Sequence, residues 1–402
     1  MKINFCISGI PATGGVRSIF EYANGLIGRG HEVTITIPYY ENKPTWFDLN
    51  AELITPKKDS AQPTRQIRQR VISRLSLPKV DHLPESIRDY QQYIDQKTTI
   101  EKNLLSLMPE CDINIATDFP TALPVYLSKK GIGCYFLQHY ERVFADARPF
   151  DSVIEGLDAD YTYQLPLFKI ANSTWVKNVI EEKFHSKLYL CCNGVSLEEF
   201  YEMEVPKDDD KIIIVSFSGN GVAWKGFKDA VEAMKIVFDK AKNKNIVWKV
   251  YGGEPELTPE QAGVPFDFVG KVYKEVLTGL YNEADIVFLS SWYESFPLPP
   301  IEAMACGKPV VTTQYGTEDY AIDGETALVV PPRKPEMLAE AILKLIYDPQ
   351  KRKLIADNGK TFINRFTWQT SVENMEKILL DIFGCVKSGE SSPYIQGSGF
   401  IL

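Results

Sequence analysis

One stretch limits the choice of fold more than any other. Residues 285–289, Asp-Ile-Val-Phe-Leu, are an apolar run of the length of a buried strand, and residues 290–298 follow as a loop. Pro299 and Pro300 stand where a helix can start, because a first turn does not need the N–H that proline lacks. Residues 301–306 continue as a short helix, Gly307 closes it, and residues 309–312 open another strand. Strand, loop, helix, strand is the unit of an open parallel sheet, and such sheets bind ligands beyond the carboxyl ends of their strands. Two acids, Glu294 and Glu302, flank this loop. The helix start adds N–H groups that favour anions or polar ligand oxygens. In a chain with 53 acidic residues, two glutamates eight apart mean little by themselves, so their setting carries the reading.

The rest of the chain repeats this alternation twice. Residues 3–8 read as a strand and 11–15 as a tight loop. Val16, Ile19, Phe20, Ala23, Leu26 and Ile27 then fall on one helical face, and 32–37 read as a second strand. Gly14 and Gly15 let backbone come close to a ligand, although a plain tight turn would use them as well. Gly-x-Gly-x-x-Gly is absent, so this is not the dinucleotide fingerprint. Residues 39–100 break the alternation and read as an insertion of loops and short helices. It returns with a strand at 112–116, a helix at 121–130 and a strand at 134–137, after which comes Gln138-His-Tyr-Glu141. A strand at 167–171, a helix at 174–184 and a strand at 187–190 complete the first half, and the charged stretch 202–210 reads as a joint. The second half opens with a strand at 211–217 and a glycine-bearing loop ending in Trp224-Lys-Gly226. Strands at 247–252 and 266–270 and a helix at 275–283 lead into the opening stretch. A strand at 327–330, helices at 335–347, 350–362 and 368–383, and a tail from Gly389 follow. The expected fold class is α/β, with two Rossmann-like βαβ domains facing a cleft: 1–192, with the insertion at about 39–100, and 193–370.

Composition narrows the function. A net charge of −9 argues against nucleic acid as a partner. Seven scattered cysteines without metal-like spacing read as reduced thiols and suit the cytoplasm. The N-terminus is too short and polar for a signal peptide, and no run approaches about eighteen apolar residues. Asp158-Ala-Asp160 has the Asp-x-Asp spacing of metal-dependent transferases, but it lies in an acidic, poorly structured stretch and reads as surface. No metal and no cofactor are expected.

The pattern from Glu294 to Val311, Glu-x-Phe-x-Leu-Pro-x-x-Glu-Ala-Met-Ala-x-Gly-x-Pro-Val-Val, resembles the donor-sugar motif of retaining glycosyltransferases with two Rossmann-like domains, the GT-B architecture. It is most similar to family 4, the group 1 glycosyl transferases. Gly14-Gly15, Arg-Gly-His-Glu-Val at 29–33 and Cys192-Asn-Gly-Val-Ser-Leu-Glu-Glu-Phe200 resemble further segments of that family. The resemblance is closest over 211–383, weaker over 1–38 and 167–200, and absent from 39 to 100. It implies transfer of a hexosyl or deoxyhexosyl unit from a nucleotide-diphosphate sugar to an acceptor hydroxyl, with configuration kept. It also implies C-terminal helices that cross back to the N-domain, with 371–402 forming the returning helix and a mobile tail.

The same resemblance assigns residues. Lys225 would contact the donor phosphates, Glu294 the hydroxyls of the transferred sugar and Glu302 the ribose. His139 would approach the donor sugar from the acceptor side, with Glu141 a further acceptor-side candidate. Gly14 and Gly15 would line the donor site. The backbone around Val269 and Lys271 would read the base. Two departures stand out. The family's arginine five residues before the lysine is Asn220 here, leaving Gly219 and Gly221, or Arg17, to meet the phosphates. Pro297 stands where many relatives have glycine and offers no N–H, so sugar contacts fall to Phe296 or Leu298. Lys225 and Glu294 lie on loops, so replacing either is expected to cut transfer while leaving stability nearly unchanged.

A sugar-nucleotide epimerase or hydrolase, or a nucleotide-sugar-binding protein without turnover, would use the same fold. The acceptor would be a glycan or a lipid-linked glycan, in cell-surface polysaccharide or glycoconjugate synthesis. A basic segment bears on it: Lys57, Lys58, Arg65, Arg68, Arg70, Arg74 and Lys79, interleaved with Ile67, Val71, Ile72, Leu75 and Leu77. It reads either as a solvated loop or as a helix lying on the inner face of the membrane.

Overall fold

The computed structural model describes residues 1–58, 85–143, 152–206, 208, 210–389 and 394. The chain divides into two compact units. The first comprises Met1–Asn172, Val176–Cys191 and Val372–Leu402, and the second Ser173–Trp175 and Cys192–Ser371.

The first unit holds a parallel sheet. Its strands are β1 (Lys2–Cys6), β2 (Glu32–Thr36), β3 (Glu52–Ile54), β4 (Ile113–Ala116), β5 (Ile132–Leu137), β6 (Phe168–Ala171) and β7 (Leu188–Leu190), in the order β3-β2-β1-β4-β5-β6-β7. The order reverses between β1 and β4. A buried polar rung crosses that point and holds the register. Asn4 and Asn114 are cross-strand partners, and the Asn4 amide donates to Asn114 Oδ1 at 2.9 Å. Asn4 Oδ1 accepts from the Thr34 and Thr36 hydroxyls at 2.9 and 2.8 Å. A one-residue slip of any of these strands would leave buried amides unpaired, at a cost of about 1–3 kcal/mol for each unpaired group.

Two expectations for this unit change. Residues 39–100 are not only loops and short helices: they carry β3, paired with β2, and begin helix α2 (Glu85–Leu107) after α1 (Gly14–Gly28). β3 has only three residues, too few to show a period, and the polar sequence of α2 hides its apolar face. The stretch holding Asp158 and Asp160 is also structured. After α3 (Phe119–Ser128) it forms α4 (Ser152–Thr162). Tyr163, just beyond it, is fully buried against Tyr135, Tyr140 and Phe184.

The second unit follows α5 (Thr174–Phe184). Its parallel sheet runs β10 (Asp267–Gly270), β9 (Asn245–Tyr251), β8 (Lys211–Phe217), β11 (Ile286–Phe288), β12 (Val310–Thr313), β13 (Leu328–Val330). Here the order reverses between β8 and β11. The core gathers around Trp248, whose ring lies 5.1 Å from Phe266 and 6.0 Å from Phe227. Its indole N–H donates to Ser216 Oγ at 2.9 Å, so even this buried donor is satisfied. The helices are α6 (Phe227–Lys240), α7 (Pro259–Ala262), α8 (Lys274–Glu283), α9 (Leu298–Ala305), α10 (Pro335–Tyr347) and α11 (Pro349–Ile363).

Of the two last helices, only one crosses back. α11 stays in the second unit, where Gly359 lies against Met304 of α9. From Val372 onward, α12 (Trp368–Ser388) belongs to the first unit. Val372, Met375, Leu379 and Ile382 are buried there. Arg29 and His31 meet Glu376 at 2.6 and 2.8 Å, and the Tyr189 hydroxyl donates to Asp381 at 2.6 Å.

Candidate functional site

The reversal between β8 and β11 places two loops side by side at the carboxyl edge of the second sheet, the position where such sheets take ligands. Lys225 ends the loop after β8, and Glu294 lies in the loop after β11. The Lys225 ammonium donates to both carboxylate oxygens of Glu294, at 2.7 and 2.8 Å. Glu294 is only 7% exposed, whereas the Lys225 side chain keeps 27% of its surface in solvent. An ammonium has three hydrogens and Glu294 takes two, leaving one for another anion.

The surrounding backbone is built to hold these loops together. Trp292 N–H donates to Trp224 O at 2.7 Å, and Ser290 Oγ donates to Lys225 O at 3.2 Å. Gly226 takes a left-handed backbone, φ +69°, and a Cβ there would lie 2.0 Å from Ser290 O. Gly316, φ +81°, approaches Glu294 in the same way, with a virtual Cβ 2.1 Å from Glu294 O. Glycine is required at both places because only its backbone fits the close approach.

Asn220 stands where the family has an arginine. It sits in a left-handed conformation between Gly219 and Gly221, and its Oδ1 accepts the Gly253 N–H. Asparagine tolerates that backbone better than most residues. Its side chain ties the β8 loop to the β9 loop. Arg17, the other substitute considered, lies on α1 in the first unit, with Nε 3.5 Å from Glu21.

The other residues of the donor motif divide by burial. Phe296 is buried, its ring 5.3 Å from Tyr320 and 5.7 Å from Phe366, so its side chain serves the core. Leu298 is buried as well and begins α9, one residue before the expected proline start. Val269 and Lys271 are exposed at the carboxyl end of edge strand β10. Glu302, on α9, is buried, and its Oε2 accepts from the Tyr281 hydroxyl at 3.2 Å.

In the first unit, Gly14 and Gly15 are the first residues of α1, capped by Thr13, and not a loop. A Cβ on Gly15 would meet Gln138 Oε1 at 3.5 Å, an ordinary contact. His139 follows β5, and its Nδ1 lies 3.2 Å from Tyr140 O. A carbonyl only accepts, which assigns the proton to Nδ1.

Beside His139 lies an acid pair. Glu141 accepts from Phe119 N–H at 3.1 Å and from the Tyr135 hydroxyl at 3.0 Å. Burial, reinforced by the nearby Asp118 charge, pushes the Glu141 carboxyl up to about 8. Burial raises Asp118 too, although the Ser8 hydroxyl donates to it. Asp118 was missed from sequence. Its only signal is an acid two residues after a parallel strand, at the point where the strand order reverses.

Asp158 and Asp160 are each occupied by a cation, Lys97 at 2.7 Å and Arg142 at 2.8 Å. The arginines of the basic segment, Arg65, Arg68, Arg70 and Arg74, lie outside the described residues. Among the described residues, no helix is long and apolar enough to cross a membrane.

Comparison with known proteins agrees with this fold. Residues 198–362 match the family model described as glycosyl transferases group 1. The D-inositol 3-phosphate glycosyltransferase of Corynebacterium jeikeium is 29% identical over 193 residues, 45% of this chain and 46% of that protein. The chain spans about half the length of the curated relatives it matches. In fold, it is similar to the sucrose-phosphate synthase of Thermosynechococcus elongatus, with TM-score 0.73 and 18% identity over 96% of this chain and 99% of that one. Anabaena HepE, solved in complex with UDP-glucose, gives TM-score 0.66 and 15% identity over 95% of this chain and 100% of that one. These similarities show a GT-B fold, and residues 198–362 match the group 1 glycosyl transferases.

Proposed function

We propose that the protein is a retaining glycosyltransferase. It moves a hexosyl or deoxyhexosyl unit from a nucleotide-diphosphate sugar to an acceptor hydroxyl, in the synthesis of a cell-surface polysaccharide or glycoconjugate. The observation that carries this reading is the Lys225–Glu294 pair, with its carboxylate buried, at the carboxyl edge where the strand order reverses. Breaking the anomeric C–O bond leaves negative charge on the departing pyrophosphate. A preset ammonium held by a buried carboxylate stabilises that charge, an effect worth roughly 10²–10³ in rate for a single donor. The remaining Lys225 hydrogen serves the phosphate, and Glu294 accepts from hydroxyls of the transferred sugar. The acceptor oxygen bonds to the anomeric carbon on the face the phosphate leaves, and its proton passes to a departing phosphate oxygen. Glu302 accepts from the ribose, and His139 serves the acceptor side. The HepE complex with UDP-glucose supports a nucleotide-sugar donor.

The test is nucleotide release from a panel of nucleotide sugars, with and without an acceptor extract, in excess EDTA. Release that depends on acceptor and survives EDTA is the expected result, because Lys225 does the work a divalent cation does elsewhere. Release without acceptor would make the protein a hydrolase. No release from any donor would leave a binding protein, and loss in EDTA restored by manganese would place a metal in the reaction.

A further inference from the structure

Two buried hydroxyls stand behind Glu302. Tyr281, on α8, is fully buried, and its hydroxyl donates to Glu302 Oε2 at 3.2 Å. The Tyr251 hydroxyl lies 2.6 Å from it. Tyr251 is the last residue of β9, directly before Gly252 and Gly253. A phenol has one proton. Tyr281 spends its own on the carboxylate, so Tyr251 must be the donor between the two, and the chain runs Tyr251 to Tyr281 to Glu302. The rings meet edge to face, with centroids 5.9 Å apart and planes at 89°. Phenylalanine would fill either position without burying a hydroxyl, which costs free energy unless it is paired. Here two are buried, and they end on one carboxylate.

We infer that Tyr281, held by Tyr251, is a positioning residue that sets the Glu302 carboxylate as a preformed acceptor for the ribose hydroxyls of the donor nucleotide. This rests on the proposed role of Glu302. A carboxylate oxygen carries more than one lone pair, so the bond from Tyr281 fixes the orientation of the group and still leaves acceptor sites. A preset acceptor discriminates against a sugar that lacks the matching hydroxyl, because its buried group is then left unpaired. Tyr281 acts through Glu302 and does not itself touch the ribose.

The test is calorimetric titration of the full chain with UDP, GDP and ADP, then with the 2′-deoxy and 3′-deoxy forms of whichever binds most tightly. The parent is expected to favour the ribonucleotide over at least one deoxy form by roughly 10- to 100-fold, the worth of a hydrogen bond to a charged group. Glu302→Ala should erase that preference, and Tyr281→Phe should remove most of it. Tyr251→Phe costs a similar buried hydroxyl but keeps the bond from Tyr281 to Glu302, so it should lower stability while largely keeping the preference. This separates positioning from a general structural role. If Tyr281→Phe folds poorly, the double variant Tyr251→Phe/Tyr281→Phe leaves no orphan donor and should show the same lost preference. A preference erased by Glu302→Ala but unchanged in Tyr281→Phe and in the double variant overturns the inference and leaves the Glu302 reading standing. A preference unchanged in Glu302→Ala, or no binding of any nucleotide by the parent, overturns both.

Discussion

Lys225 and Glu294 are single residues on loops, yet two hydrogen bonds tie one to the other. Loop residues usually tolerate change, but Glu294 is 7% exposed and depends on one ammonium for its counter-charge. Removing that ammonium strands a buried carboxylate, which costs about 1–3 kcal/mol. The burial of Glu294 therefore predicts a stability cost for the lysine substitution, against the expectation from its loop position. Lys225→Ala should cut nucleotide-sugar turnover by roughly 10²-fold or more and also lower the melting temperature. Glu294→Gln should cut turnover alike but lower the melting temperature less, since its amide oxygen still accepts from Lys225. Kinetics and thermal unfolding of both variants check this. Equal stability losses would mean the pair is better solvated than its burial indicates.

At the scale of elements, the crossing helix depends on a close fit. Gly25 of α1 lies under α12, and a Cβ there would come within 2.4 Å of Val372 Cγ2. Alanine would otherwise help α1, by about 1 kcal/mol over glycine in a helix interior. The clash reverses the sign, because a β-branched valine has few rotamers to escape into and overpacking costs about 1–3 kcal/mol. Gly25→Ala should destabilise the parent and stabilise a Val372→Ala background. A denaturation double-mutant cycle reads this coupling. The same sign in both backgrounds would show that α12 is not packed against α1 this tightly.

For the whole molecule, the buried acids of the first unit make stability depend on pH. Glu141 keeps its proton up to about pH 8 when folded, whereas an unfolded glutamate releases it near about 4.3. Between those values the folded state binds the extra proton. Stability is therefore fully present at the acid end of the window and is lost as pH rises through it. Asp118, raised in the same direction, adds to the trend. The melting temperature should fall from pH 5 to pH 8, and Glu141→Gln, which cannot ionise, should flatten that fall. An equally steep fall in the variant would place the pH dependence elsewhere.

By itself the sequence determined the order of elements, the two parallel sheets and the loops that bear Lys225 and Glu294. These follow from short-range signals: apolar runs, helical periodicity, and glycine or proline at turns. Where the signal was short or masked, as in β3, α2 and α4, it was not legible. Tertiary structure alone decided what each polar group meets. Nothing in the sequence shows that the Tyr281 hydroxyl ends on Glu302 or that Tyr251 stands behind it. Asn220 reads as a missing cation until its side chain is seen tying two loops together. Asp118 and Glu141 are 23 residues apart in sequence and become one acidic site only when β4 and β5 lie side by side. Charge and hydrogen bonding act through space, and the distances that set them exist only after the strands have paired.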